Sequence, residues 1–197
     1  MYLRCGLFKQ WYLYYHYMPY IVLQLGYTWW ELCVWGSHVF CWWAESRAII
    51  RYIANKYSEK GSLLTGKTLE EKAKVEQWLE VESQNYNGPI STVVSEIVFK
   101  PHYRGLPTDE KVVAENLQKL EKVLDIYEAH LAKNEYLAGD FFSLADLSHL
   151  PYTHYLINIA KKGDVITSRK NVNAWWERIS SRPSWQHALK LANPKSE

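Results

Sequence analysis

Apolar and polar positions follow a helical period from residue 45 onward, and no such period precedes it. The run Glu45 to Tyr57 (ESRAIIRYIANKY) places Ile49, Ile50, Ile53 and Tyr57 on one side, which predicts a helix capped by Ser46. Two glycines in residues 58–67 mark a connector. Thr68 to Glu71 forms a capping box, in which hydroxyl and carboxylate each satisfy the other's exposed backbone amide. It opens a long helix with Val75, Trp78, Leu79, Tyr86, Ile90, Val93, Val94 and Ile97 on its apolar face. Pro89 should kink or split this helix, because proline removes one amide and clashes with the turn before it. Residues 100–107 are expected to form a loop. Beyond Thr108, the positions Val113, Leu117, Leu120, Leu124, Tyr127 and Leu131 alternate steps of four and three, giving one buried stripe. Residues 134–142 read as a loop. Ser143 to Asp146 is a second capping box, which starts a strongly apolar and hence central helix reaching about Ile159. Residues 173–181 are helical, and Pro183 suits the first turn of a last helix.

Composition sets the first 44 residues apart. They hold 15 of the chain's 30 aromatic residues, all three cysteines, and only Arg4, Lys9 and Glu31 as charges. The run 10–30 is long enough to span a bilayer, but Tyr and Trp dominate it and favour the interface over the centre. Membrane contact by this run is therefore not the expectation, and a signal peptide is disfavoured by the lack of an aliphatic stretch. Tyr20 to Leu25 and His38 to Trp43 have the β-branched and aromatic content of short strands. Cys33, His38 and Cys41 make an incomplete zinc set with loose spacing, so no metal site is expected. An odd cysteine count points to a reducing compartment rather than a disulfide scaffold. A net charge of +2 without a basic stripe argues against nucleic acid.

Three ordered motifs resemble one family. The run E-S-R-A-I-I from Glu45, continued by R-Y-I-A from Arg51, is similar to the glutathione-binding helix of glutathione transferases. The run L-A-G-D-F-F-S-L-A-D-L from Leu137 to Leu147 resembles the folding box of their helical domain, and S-S-R-P-S-W from Ser180 to Trp185 resembles their terminal helix. The resemblance is to the plant phi class and spans residues 45–190, about three-quarters of the chain. It implies a mainly all-α fold: a C-terminal helical domain over residues 68–192, preceded by a truncated or degenerate thioredoxin-like remnant. Residues 45–60 would be the last helix of that remnant, and residues 1–44 an atypical segment.

The resemblance also implies chemistry. Glutathione would be a co-substrate, with no further cofactor, and its thiolate would be conjugated to hydrophobic electrophiles in cytosolic detoxification. Ser46, at a helix start that favours anions, would hold the γ-glutamyl carboxylate, and Glu45 the ammonium. Arg47 would support a dimer interface or the helix start, against the plainer reading of a solvated arginine. Tyr86 and Ile90 fall near positions that line the electrophile pocket, though core packing explains them equally well. Ser143 and Asp146 would be structural caps, with Asp140 bonding the same turn, and the loss of Asp146 should cost about 1 kcal/mol or more. A homodimer is compatible with the family pattern.

The family's catalytic serine and cis-proline belong to a thioredoxin-like domain ahead of Glu45. Ser37 is too close to Ser46 for the first role, and Pro19 too far for the second. Residues 1–44 then read as a non-native translation, as a shortened thioredoxin-like remnant, or as an aromatic membrane-interface anchor, in that order. Conjugation is accordingly expected to be impaired, with no catalytic residue identifiable. The alternative function is a non-catalytic ligand-binding or interaction module.

Overall fold

A computed structural model describes residues 45–59 and 63–192. The two strand expectations, the 10–30 run and the cysteine–histidine set lie outside the described residues. All regular structure within them is helical, apart from one isolated bridge between Tyr136 and Gly139. No helix among them is long and apolar enough to cross a membrane.

The described residues fall into two compact units. One joins residues up to Thr65 with those from Ser180 on, and the other is Gly66–Ile179. The first contains α1 (Ser46–Lys56) and, near the C-terminus, the last helix, Pro183–Ala192. Helix α1 is anchored by Ile49, Ile50, Ile53 and Ala54, all buried, and Lys56 in its last turn complements the helix dipole. Pro183 is the first residue of the last helix, where a missing amide costs nothing.

The larger unit begins with α2 (Leu69–Val81). Its capping box is complete: Glu71 N donates to Thr68 Oγ1 at 3.2 Å, and Thr68 N returns a bond to Glu71 Oε2 at 3.3 Å. The helix then runs on through a π-helical turn, π1 (Glu82–Tyr86), to α3 (Asn87–Val94), a second turn, π2 (Ser95–Phe99), and α4 (Lys100–Arg104). Helix direction is thus kept through Pro89 and Pro101, and the disturbance takes the form of π turns rather than a break. In each such turn the amide pairs five residues back: Asn87 with Glu82 and Lys100 with Ser95. The loop expected over 100–107 is therefore helical as far as Arg104, where Gly105 at φ 61 provides a left-handed end.

Asp109 caps α5 (Glu110–Leu131), accepting from Lys111 N at 3.1 Å and Val112 N at 3.2 Å. Five positions of the expected stripe are buried, and Leu117 is half-buried. Helix α6 (Leu144–His154) continues into π3 (Tyr155–Ile159) and is followed by α7 (Asp164–Thr167) and α8 (Lys170–Ser180). Helix α3 packs along α5, while α6 packs on both α2 and α3. The consequence is visible in α6, where eight of eleven residues are buried, on all sides. Leu120, Leu124, Leu144, Leu150 and Trp175 are fully enclosed, and each buried leucine contributes about 1.5–3 kcal/mol over an exposed one.

Candidate functional site

The start of α1 has an unusual backbone. Glu45 takes the N-cap position at φ 73, ψ 95, a left-handed conformation that costs a non-glycine residue of order 1–3 kcal/mol. Its carbonyl accepts from Ala48 N at 3.0 Å and Ile49 N at 3.2 Å, but its own side chain makes no capping bond. The expectation that Ser46 caps is corrected: Ser46 is the first helical residue, with its hydroxyl one position too far along to serve as the N-cap acceptor. No acidic residue lies in the first turn, so the positive end of the dipole is not compensated from within it. Glu45 is exposed, while Ser46 and Arg47 are half-buried. A carboxylate, a hydroxyl and a helix start without an acidic residue in its first turn therefore adjoin, a set suited to a small zwitterion.

Tyr86 and Ile90 have no exposed surface. Tyr86 closes π1 and stacks on Tyr127 at 5.8 Å, while its ring meets His149 at 4.6 Å. Proton positions follow from the acceptors. His149 Nδ1 lies 2.7 Å from the Ala145 carbonyl, so it carries the hydrogen, and the Tyr127 hydroxyl donates to Nε2 at 3.0 Å. Thr153 Oγ1 donates to the His149 carbonyl at 2.7 Å, so the Tyr86 hydroxyl donates to Thr153 Oγ1 at 2.7 Å. Burial raises the ionisation of both tyrosines well above the ordinary phenol range, with nearby Glu82 pushing the same way. These hydroxyls remain neutral donors within the core, and neither Tyr86 nor Ile90 exposes side-chain surface.

Asp146 accepts four hydrogen bonds from the residues around it. Its Oδ1 accepts from Leu137 N at 3.0 Å and Trp175 Nε1 at 2.9 Å, and its Oδ2 from Ser143 N at 2.9 Å and Ser143 Oγ at 3.0 Å. Burial raises its carboxyl above the ordinary value, although these donors pull it down. Asp140 is exposed, and the turn is held by Asp146 instead. A neighbouring bridge, with Tyr136 N donating to the Gly139 carbonyl at 2.8 Å, requires Gly139 at φ 140.

Two polar groups were not anticipated from the sequence. Glu128 on α5 caps α8 from outside, accepting from Asn171 N at 2.9 Å and Val172 N at 2.9 Å. Arg169 binds Asp125 Oδ1 through Nη2 at 2.6 Å and Nε at 2.9 Å. Each pair is more than forty residues apart in sequence, so no local pattern announces it. Among the described residues no cluster of histidine, cysteine or carboxylate side chains could hold a metal ion.

The helical unit, with its Ser143–Asp146 box, has the fold of the C-terminal domain of glutathione transferases. The family model for the C-terminal domain of glutathione S-transferases matches residues 86–183. Glutathione S-transferase F10 of Arabidopsis thaliana is 56% identical over 142 residues, or 72% of this chain and 66% of that protein. Glutathione transferase F2 of Populus trichocarpa superposes with a TM-score of 0.74 at 42% identity, covering 77% of this chain and 70% of that one. Glutathione S-transferase I of maize, solved in complex with an atrazine glutathione conjugate, gives a TM-score of 0.71 at 41% identity over 79% of this chain and 71% of that one. The chain belongs to the glutathione S-transferase family, on its plant phi branch. It spans about two thirds of the length of the curated relative it matches.

Proposed function

We propose that the chain binds glutathione through the start of α1 and contributes to conjugating its thiolate with hydrophobic electrophiles, at reduced efficiency. The observation that carries this reading is Glu45, a non-glycine residue held at φ 73 at the N-cap of the helix, with its own side chain making no capping bond. Strain of this kind persists where the surrounding structure has a use for it. Family membership supplies the ligand: the γ-glutamyl carboxylate would sit at Ser46 and the helix dipole, and the ammonium at Glu45. Arg47, half-buried beside them, would support the turn or a subunit contact. The sulfur is a separate matter. Conjugation needs a donor that stabilises the thiolate, and Glu45, Ser46 and Arg47 all serve the opposite end of the tripeptide. Tyr86 and Ile90, enclosed in the core, would shape an electrophile pocket from behind rather than by contact.

Calorimetric titration with S-methylglutathione tests recognition. Glu45→Gln and Ser46→Ala should each weaken binding about tenfold, the value of one charge-assisted contact. Absence of binding by the unaltered chain, or binding by both variants as tight as that of the unaltered chain, overturns the reading. Turnover of glutathione with a chlorodinitrobenzene measures the second half: a rate no higher than the uncatalysed one, with binding intact, favours a non-catalytic ligand-binding module.

A further inference from the structure

Four rings surround Tyr127 of α5 in the larger unit. Trp78 of α2 meets it edge-on at 5.2 Å, and Tyr86 stacks on it at 5.8 Å. His149 and Trp175 meet it edge-on at 5.5 and 6.4 Å. Tyr86, Tyr127, His149 and Trp175 expose nothing, whereas Trp78 is 9% exposed. Of these five rings, solvent reaches Trp78 alone, and one direct ring contact joins it to Tyr127. Burial of ring area explains why aromatic residues gather here. It does not explain why a phenol and an imidazole are paired at the centre.

The two stacked phenols differ in where a proton can go. The Tyr86 hydroxyl donates to Thr153 Oγ1 at 2.7 Å, and a neutral hydroxyl is no base. The Tyr127 hydroxyl donates at 3.0 Å to His149 Nε2, the unprotonated nitrogen of a ring whose Nδ1–H is fixed on the Ala145 carbonyl. Burial first, then neighbouring Tyr86, Glu82 and Asp146, keeps Tyr127 from ionising to a phenolate. Removing an electron and the proton together avoids that obstacle, because neither the phenol nor its phenoxyl radical carries a charge. The positive charge then rests on His149, whose two N–H groups both have acceptors, the Ala145 carbonyl and the phenoxyl oxygen. The negative charges that oppose a phenolate favour this cation. Trp175 is also bonded, through Nε1 to Asp146 Oδ1 at 2.9 Å, but its ring is sealed from solvent. An indole also gives up its electron and proton less readily than a phenol, so the oxidised state settles on Tyr127.

We propose that Tyr127 is a redox-active residue, oxidised through Trp78 with His149 Nε2 as its proton acceptor. A one-electron oxidant in solution, of the peroxyl-radical class, takes an electron from the Trp78 ring and is reduced to its anion. Tyr127 passes an electron to the Trp78 radical cation, which restores the indole. The Tyr127 O–H bond breaks in the same step, and an N–H bond forms at His149 Nε2. The products are a neutral phenoxyl radical on Tyr127 and an imidazolium at His149. The oxidising equivalent is thereby held inside the core, away from solvent-facing side chains. The proposal does not rest on the glutathione reading, because every residue it uses belongs to the larger unit.

Pulse radiolysis of the full chain in azide solution supplies the azidyl radical, a one-electron oxidant that attacks indoles first. Decay of the tryptophanyl absorption should be matched by first-order growth of the tyrosyl absorption, at a rate independent of protein concentration. The chain holds 10 tryptophans and 15 tyrosines, so the Tyr127 phase is the part of that growth which the variants remove. Trp78→Phe and Tyr127→Phe should each remove it. Tyr86→Phe should keep it, although Tyr86 is buried as deeply. His149→Gln retains a hydrogen-bond acceptor but no base, so it should slow the phase about a hundredfold, the lower end of what a positioned base contributes. The phase should also run slower in heavy water, a comparison that needs no variant. Circular dichroism checks that each variant is folded. The proposal is overturned if Trp78→Phe or Tyr127→Phe leaves the growth unchanged, or if Tyr86→Phe removes the same phase. An unchanged rate in His149→Gln or in heavy water overturns it as well. Failure of S-methylglutathione to bind would sink only the proposal for Glu45 and Ser46.

Discussion

Replacing Asp146 by alanine should remove far more than a helix cap. The carboxylate is fully buried and accepts from Leu137 N, Ser143 N, Ser143 Oγ and Trp175 Nε1. Alanine leaves both backbone amides and the indole without their acceptor, and a buried donor so orphaned costs about 1–3 kcal/mol. The Ser143 hydroxyl can rotate, which spares a fourth penalty. Part of the loss is returned, because burial raises the carboxyl and its removal relieves that desolvation. The net expectation is a destabilisation of about 3–5 kcal/mol, or roughly 10–20 °C in melting temperature for a fold of this size. Asp146→Asn separates charge from bonding. Its carbonyl can still serve Leu137 and Trp175, while its amide nitrogen faces Ser143 N, so it should cost about 1–3 kcal/mol. Thermal melts followed by far-ultraviolet circular dichroism measure both variants. A shift of under about 3 °C for alanine, or asparagine no better than alanine, refutes the bond-by-bond reasoning.

Glu128→Ala should lower stability by about 1–2 kcal/mol, because Asn171 N and Val172 N lose the only capping side chain described for α8; an unchanged denaturant midpoint would contradict this. Glu71 is held below the ordinary glutamate value, chiefly by the Lys67 amide and then the Thr68 amide. A lowered carboxyl contributes stability that is full above its unfolded value of 4.5 and is lost as pH falls through the lower folded value. Glu71→Gln should therefore narrow the difference between melting temperatures at neutral pH and at acid pH below that value; an unaltered acid dependence would remove the capping box from the explanation. Asp146, raised by burial, works in the opposite direction, favouring the fold below its ordinary value of 3.8 and losing that advantage as pH rises through its folded value.

What the sequence disclosed was local. Both capping boxes are complete within four residues, so Thr68 with Glu71 and Ser143 with Asp146 could be paired before any fold was known. The bonds that make Asp146 central were hidden, since Trp175 and Leu137 reach it only once α8 and the Tyr136–Gly139 turn have folded against it. Glu128 has the same history: its spacing on α5 looks like a solvated face, and only α8 turns it into a cap. Ser46 was displaced from the cap by a single residue, because Glu45 takes a backbone conformation that residue type alone does not advertise. For Tyr86 and Ile90 the helical spacing was sound, but a period of apolar residues marks a buried side without saying whether a cavity lies within it.

Proline explains why the long helix was harder to read. Pro89 removes the amide that would pair with the Asn85 carbonyl, and Pro101 the amide that would pair with Ile97. A break would then strand several further groups at each end, whereas a π turn reroutes only one bond per turn. Asn87 reaching back to Glu82, and Lys100 to Ser95, are those rerouted bonds, each placed just ahead of the proline. Continuity also has a packing reason. Ile90, Val93 and Val94 follow Pro89 directly and are fully buried, so ending the helix there would expose the face that packs along α5. The two turns end on Tyr86 and Phe99, and the larger unit uses these rings in opposite ways. Tyr86 faces α5 and α6 and is sealed by Tyr127 and His149, while Phe99, one helical segment later, is covered only in part and stacks on Tyr103. The same device that keeps the core intact past a proline thus ends once on a sealed ring and once on a ring left partly at the surface.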